Sequence, residues 1–446
     1  MNLAKECVKA FALFATAACA FQTWALDLDF KGKFFTQAGI GIPNGHQSAN
    51  EGELLLCATG AEGAVTAYSG NNTMYVDASL LCDYIVNEDK LSFRVKEAWY
   101  DYNGGWWNVR IGRQITSWGA ADGLQVTDVL CPQDTTSIWT SDYSESRLGI
   151  DALRLSLLNE TLSLDAYWIP FFTPNELPLK DGNPLKEIVV PSSVSMGGMT
   201  VTVNKVSEDS FEKPDVTLRN GEYAARLKAF LPFADLSLYG YYGWDDMPVM
   251  KYSVGTAITV GGSYERMAMF GADASIPIRS VVLRLEGAVF PDRAMALSAG
   301  EQVMAQFTAM RSGKTEFDYF VRRNQMAGLI GLDFTPAFCT ITVQYYIDTV
   351  TGSVGMLDRE RFVHKATCSV SKSFLRDTLD LSLTGIMELK HFSGMINPCV
   401  KYSVSDQLSV SLDSSFFFRG PDKENRGEYA AYEDLDCISL KAVFSF

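Results

Sequence analysis

The last ten residues, Cys437 to Phe446, constrain this chain more than any other stretch. Ile438, Leu440, Ala442, Phe444 and Phe446 share one face at period two, while Cys437, Ser439, Lys441, Val443 and Ser445 share the other. A strand that carries an apolar row up to its terminal carboxylate needs an apolar surrounding on that side. The other end of the chain points the same way. Lys5 and Lys9 precede an apolar run from Ala10 to Ala20, and small residues follow at the spacing a signal peptidase accepts, Ala18-Cys19-Ala20 or Thr23-Trp24-Ala25. Residues 1–25 therefore read as a secretory signal peptide, and 26–446 as one domain. A lipid anchor on Cys19 is the weaker reading, because the usual leucine of such a site is missing.

Beyond the signal no run of about 18 or more apolar residues occurs, so no helix is expected to span a membrane. A mean hydropathy of +0.01 would suit a soluble protein. Yet 27 Phe, 19 Tyr and 8 Trp raise the aromatic share to 12%. In lipid, every backbone group must be satisfied internally, which leaves only helices and closed barrels. The expected fold is all-β, a single transmembrane antiparallel β-barrel. A secreted β-sandwich or β-helix would also alternate, but no internal repeat of about 20–50 residues marks a solenoid.

Barrels need strands of about 9–11 residues joined alternately by short and long connections. Strands are expected near 27–42, 52–69, 74–86, 90–103, 106–118, 150–159, 161–172, 222–232, 234–249, 263–278, 280–290, 322–335, 339–350, 364–374, 378–388, 393–404, 407–418 and 436–446. That makes eighteen, with sixteen left open because segment 52–86 has the weakest pattern. Tight connections such as Asn103-Gly104-Gly105, Asn159-Glu160-Thr161, Pro232-Phe233-Ala234, Pro336-Ala337-Phe338, Leu375-Arg376-Asp377 and Ser405-Asp406 fall on one side. Long ones near 119–149, 173–221, 250–262, 291–321, 351–363 and 419–435 fall on the other. The short side is assigned to the periplasm and the long side to the exterior.

Fixing the lipid face turns the other face into a set of pore residues. Lys31, Lys33, Arg94, Lys96, Arg110, Arg154, Arg226, Lys228, Arg284, Lys401 and Lys441 alternate against apolar neighbours and point inward. The inward acids are Asp29, Asp165, Asp235, Glu286, Asp348, Asp380 and Asp413. Eleven bases against seven acids, in a chain with 38 Lys and Arg against 53 Asp and Glu, suggest an anion-preferring lumen. Simple salt-bridge balance is the competing explanation. Arg113 is a misfit: alternation puts it on the lipid face with Trp107, Val109 and Ile111. A bulge at Gly112 would turn it inward beside Arg110; otherwise it lies at the interface and snorkels. The pore candidates are thus Arg94, Lys96, Arg110, Arg113, Arg154, Arg226, Lys228 and Arg284.

Arg110-Ile111-Gly112-Arg113-Gln114, then Trp118-Gly119, Asp122 and Asp128-Val129-Leu130-Cys131-Pro132-Gln133-Asp134, resemble a motif of Gram-negative porin-like barrels, the broad group around alginate-export and phosphate-selective porins. The preceding KEAWYDYNGGWWNV is similar to the approach strand of that group. The likeness covers residues 90–175 and implies a substrate-conducting barrel whose loop after the motif folds toward the pore. Cys131 before Pro132 departs from the pattern. The final strand likewise resembles the recognition signal of outer-membrane barrels, with Phe444 and Phe446 as its aromatic residues. That implies outer-membrane lipid and the barrel assembly machinery as partners.

Other chemistries find little support. The chain has three histidines, His46, His364 and His391, of which His364 and His391 flank strand ends and read as surface or rim residues, and neither a GxSxG elbow nor an HExxH pair. Seven mature cysteines, Cys57, Cys82, Cys131, Cys339, Cys368, Cys399 and Cys437, are widely spaced and odd in number. They suggest neither a disulfide framework nor a zinc site. No cofactor, metal or nucleic-acid pattern emerges. A channel for small hydrophilic, anionic solutes is the leading expectation, and a surface-binding barrel that works through its long loops is the alternative.

Overall fold

The structure is a computed structural model that describes residues 27–43, 50–120, 123–124, 126–139, 143–196, 199–336, 338–422 and 427–446. The expected signal peptide, residues 1–25, lies outside the described residues, and so does His46.

Eighteen strands form one sheet. In chain order they are β1 Asp27–Gly41, β2 Leu54–Ser69, β3 Asn72–Asp83, β4 Leu91–Asn103, β5 Trp107–Gln114, β6 Ile150–Leu158, β7 Leu162–Ile169, β8 Glu222–Leu231 and β9 Ala234–Trp244. They continue as β10 Arg266–Ile278, β11 Val281–Ala296, β12 Phe320–Phe334, β13 Thr340–Val350, β14 Phe362–Phe374, β15 Leu379–Glu388, β16 Ser393–Ser403, β17 Leu408–Phe418 and β18 Cys437–Ser445. Each pairs antiparallel with the next, and β18 returns to β1 with Lys33 opposite Ser445 and Gly41 opposite Cys437. The sheet is closed, so it has no free edge to satisfy in lipid. Every expected strand is present, and the sixteen-strand alternative falls.

The outward face is apolar. Ile438, Leu440 and Phe444 of β18, Val343 and Tyr345 of β13, and Leu381 and Leu383 of β15 are exposed. Their neighbours at odd offset, Cys437, Ser439 and Gln344, are buried against the interior. Exposure of so many large apolar side chains in register is unfavourable in water and favourable in hydrocarbon.

Several expected boundaries run too long. The 106–118, 161–172 and 234–249 strands stop at Gln114, Ile169 and Trp244. Sequence alternation persists past each, but the chain beyond pairs with no barrel strand. The segment expected as a loop near 250–262 is a hairpin, Val249–Val254 paired with Ile258–Ser263. By contrast, β11 runs on to Ala296 through a register shift between Phe290 and Arg293.

This hairpin belongs to a cap on the long-loop side. It is extended by Phe211–Glu212 and accompanied by the expected hairpin in the longest loop, Ser193–Met196 against Met199–Thr202. Leu177, Val206, Phe211, Ile258, Val260 and Tyr264 give the cap its own apolar core. Helix α1, Ala299–Arg311, starts at Ser298, whose hydroxyl accepts from Glu301 N. Gln302 and Gln306, four residues apart on one face, cover the hairpin's outer edge. Gln302 accepts from Tyr252 N at 2.8 Å, and Gln306 from Val254 N at 2.9 Å. Gln302 also donates to Met250 O at 3.1 Å and Gln306 to Val254 O at 3.0 Å. The edge that would otherwise be free is thereby paired.

Candidate functional site

The inward faces of β6 to β12 are unusually apolar for a pore wall. Ile150, Tyr167, Ile169, Tyr239, Tyr241, Met267, Met269, Phe290 and Leu329 all point in and are buried. The described residues of the connection between β5 and β6 fold into the barrel and cover them with Trp118, Leu124, Val126, Leu130 and Cys131. At roughly 1.5–3 kcal/mol for each large apolar side chain buried, this contact holds the segment firmly. Trp118 stands at its centre, 5.0 Å from the Tyr239 ring and 6.0 Å from Tyr167. Cys131 is a small buried hydrophobe here; burial pushes its thiol up to about 12.

Glu286, buried on β11, fixes the inserted backbone. It accepts from Ala120 N, Thr127 N and the Thr127 hydroxyl at 2.7–2.8 Å. Gly119 sits at φ +82, and a Cβ there would lie 2.4 Å from Glu286 Oε1, so only glycine allows this approach. Asp128 accepts from Trp118 N at 3.0 Å and binds Arg147 through Nε at 2.9 Å. The loop implied by the motif resemblance does fold toward the pore.

One side of the lumen is thus filled. The other, between β1–β4 and β16–β18, keeps a cavity of about 590 Å³. Six bases line it, Lys33, Arg94, Lys96, Arg147, Lys401 and Lys441, with five acids, Glu62, Asp83, Asp134, Glu145 and Asp413. The expected surplus of eleven over seven is not reproduced around the cavity. Glu62 was missed because β2 has a weak pattern, and Asp134 and Glu145 because loop residues cannot be placed from alternation.

The eight candidate pore residues separate into groups. Arg94 and Lys96 line the cavity. Arg94 reaches Asp134 at 3.0 Å and also Glu176, joining the wall to two long loops. Lys96 binds Glu62 at 3.0 Å. Arg110 and Arg154, directly opposite on β5 and β6, share Asp101 at 2.9 and 3.7 Å. The Arg110 guanidinium also lies 3.7 Å over the Trp99 ring. Arg226 and Arg284 brace the inserted loop, donating to Ser117 O at 3.3 Å and Ala120 O at 2.8 Å while paired with Asp165 and Asp333. Lys228 has no hydrogen bond or ion pair among the described residues, and it does not line the cavity.

Arg113 does not turn inward beside Arg110. The register of β5 runs through Gly112 without a shift on either side. Arg113 stays in the Ile111 row, where Asp151 holds it bidentately at 3.0 and 2.8 Å. It is the penultimate residue of its strand, so a neutralised charge sits near the rim rather than at the bilayer midplane, where it would cost roughly 2–4 kcal/mol. The bulge lies instead on β4. There the partner of β3 jumps from Glu97 to Val95, so that alternation holds from Arg94 to Lys96 and breaks between Lys96 and Glu97.

Three lysines remain weakly held. Lys441 is 3.9 Å from Glu145, and Lys33 is 3.4 Å from Glu62 and 3.9 Å from Glu145. Lys401 has no ion pair or hydrogen bond among the described residues. Lys441 and Lys401 flank Ser411 in register on three adjacent strands, and Ser409, Ser439 and Ser445 line the same wall.

A closed sheet of eighteen strands with an apolar exterior and a polar, partly occluded interior defines an outer-membrane β-barrel of the porin type. Residues 60–355, well over half of the chain, match the family described as a protein of unknown function, DUF1302, and the chain belongs to that family. No curated protein matches it. Among solved structures it is similar to OpdK of Pseudomonas aeruginosa, crystallised with vanillate, at TM-score 0.50 and 10% identity over 94% of this chain and 98% of that one. It is also similar to OccAB4 of Acinetobacter baumannii, at TM-score 0.49 and 8% identity over 95% and 99%. The outer-membrane channel DcaP of the same organism aligns at TM-score 0.44 and 9% identity over 95% and 98%. At such identities the likeness is one of fold.

Proposed function

We propose that this protein is a water-filled channel of the outer membrane that passes small hydrophilic solutes and prefers anions. The observation that carries the reading is the lysine row Lys33, Lys441 and Lys401 on the serine-rich wall of the cavity. The acids there are largely engaged. Glu62 takes Lys96 and Lys33, Asp134 takes Arg94 and the Thr136 hydroxyl, and Asp413 accepts from Ser411. A carboxylate or phosphate entering the cavity meets Lys401, which has no ion pair among the described residues, and Lys441, 3.9 Å from Glu145, with hydroxyls beside them and the shared Lys33 next in the row. Low-dielectric walls focus that field, and acids of the exposed loops beyond about 8–10 Å are largely screened. The resemblance to alginate-export and phosphate-selective porins leans the same way.

In a planar bilayer under a salt gradient, the reversal potential should have the sign for chloride over potassium. Changing Lys33, Lys401 and Lys441 together to Ser should move it toward zero. Changing Arg110 and Arg113 to Ser should shift it far less, because both are paired and neither lines the cavity. A cation-selective pore, or no current at all, would transfer the function to the loops. The cap with its own apolar core then becomes the binding element.

A further inference from the structure

Three side chains from two loops meet on the exterior side of the barrel, away from the cavity. Glu360 is the next-to-last residue of the 351–361 connection, Glu388 closes β15, and His391 lies in the four-residue turn that follows. Their ligand atoms all fall within 4.8 Å of one another. His391 Nε2 is 3.0 Å from Glu360 Oε1 and 3.7 Å from Glu388 Oε1.

Glu388 distinguishes this group from an ordinary ion pair. It is 7% exposed, and its Oε2 accepts from Ser393 Oγ and Glu428 N, both at 2.9 Å. Among the described residues its Oε1 takes no hydrogen bond, and it faces the imidazole. A neutral imidazole has a single Nε2 hydrogen, and Glu360 is the nearer acceptor. Glu388 Oε1 is then left with a 3.7 Å approach to the imidazole, too long for a hydrogen bond. One cation between the three groups satisfies all of them. Two donors held tetrahedrally at about 2.1 Å from one ion stand about 3.4 Å apart, close to the 3.0 and 3.7 Å separations found here.

We infer that Glu360, Glu388 and His391 form a binding site for a divalent transition metal of the zinc class, which ties two exterior loops together. One imidazole and two carboxylates favour such an ion over calcium or magnesium, which prefer oxygen alone. Ser393 and the Glu428 backbone orient the Glu388 carboxylate from behind, as outer-shell partners of metal ligands do. Lys390, 2.6 Å from Glu360 Oε1, competes with the ion for that oxygen. This inference goes beyond the expectation of a metal-free chain: no local motif announces the site, since Glu360 meets the other two only through the pairing of β14 with β15.

The test uses the full-length barrel, refolded in detergent, stripped with EDTA and titrated with Co²⁺ as a coloured probe. The wild type should develop d–d bands that saturate, without the near-ultraviolet band of thiolate coordination that the free cysteines would give. Zn²⁺ should displace the colour. His391→Ala and Glu388→Gln should each weaken binding about tenfold or more, while His364→Ala leaves it unchanged. Lys390→Ala should tighten it, which guards against a variant that merely misfolds. Absent bands, a thiolate band, unchanged affinity in His391→Ala, or no tightening in Lys390→Ala would each overturn the site.

Discussion

Glu286 is the single side chain that makes the most hydrogen bonds to the inserted backbone among those described above. Both of its oxygens accept from the inserted loop. Glu286→Gln replaces one acceptor with a donor facing an N–H group, a change of roughly 1–3 kcal/mol against the inserted state. Single-channel records should become noisier with larger openings, and a protease should cut within 115–149. Steady conductance and full protease resistance would show that the apolar contacts of Trp118 and its neighbours suffice alone. At this scale the sequence was only partly legible. Inward orientation of Arg94 and Lys96 follows from alternation. Arg113 does not yield to the same reasoning, because its neutralising partner Asp151 lies thirty-eight residues on. The β4 bulge left no local signal that could be separated from Gly112.

At the level of elements, strand existence was fully legible and strand ends were not. Period two reports only that alternate side chains face different surroundings. It stays true in the cap hairpin 249–263, where the surroundings are protein core and water rather than lipid and lumen. The closing pair, β18 on β1, is the most exacting element. The Phe446 ring stacks on Phe34 at 5.6 Å and lies over Gly32, where a Cβ would meet it at 2.4 Å. Deleting Phe446, or changing Gly32 to Val, should therefore lower the heat-modifiable folded form in outer-membrane fractions. Normal levels in both would argue that closure does not depend on this contact. Orientation can be checked separately by single cysteines placed at 192 and 406 in a cysteine-free background. An impermeant maleimide on intact cells should label the first and spare the second; the reverse pattern inverts the barrel.

For the whole molecule, the division of the lumen separates how wide the pore is from what it prefers. The inserted loop packs against β6–β12, whereas the lysine row sits on β1, β16 and β18, across the cavity. Removing residues 118–130 should leave the eighteen strands closed, because strand pairing does not use that segment. Yet it bares Tyr167, Ile169, Met269, Phe290 and Leu329 to water, all of them buried now. Each large apolar side chain so exposed costs about 1.5–3 kcal/mol, so the deletion barrel should unfold at a lower temperature in detergent. Its conductance should rise, because the filled side becomes passable. The sign of its reversal potential should stay that of the intact protein, while its size shrinks as the wider lumen dilutes the lysine field. If the sign reverses instead, the preference originates in the loop and its partners Arg94 and Arg147, and the wall lysines are bystanders.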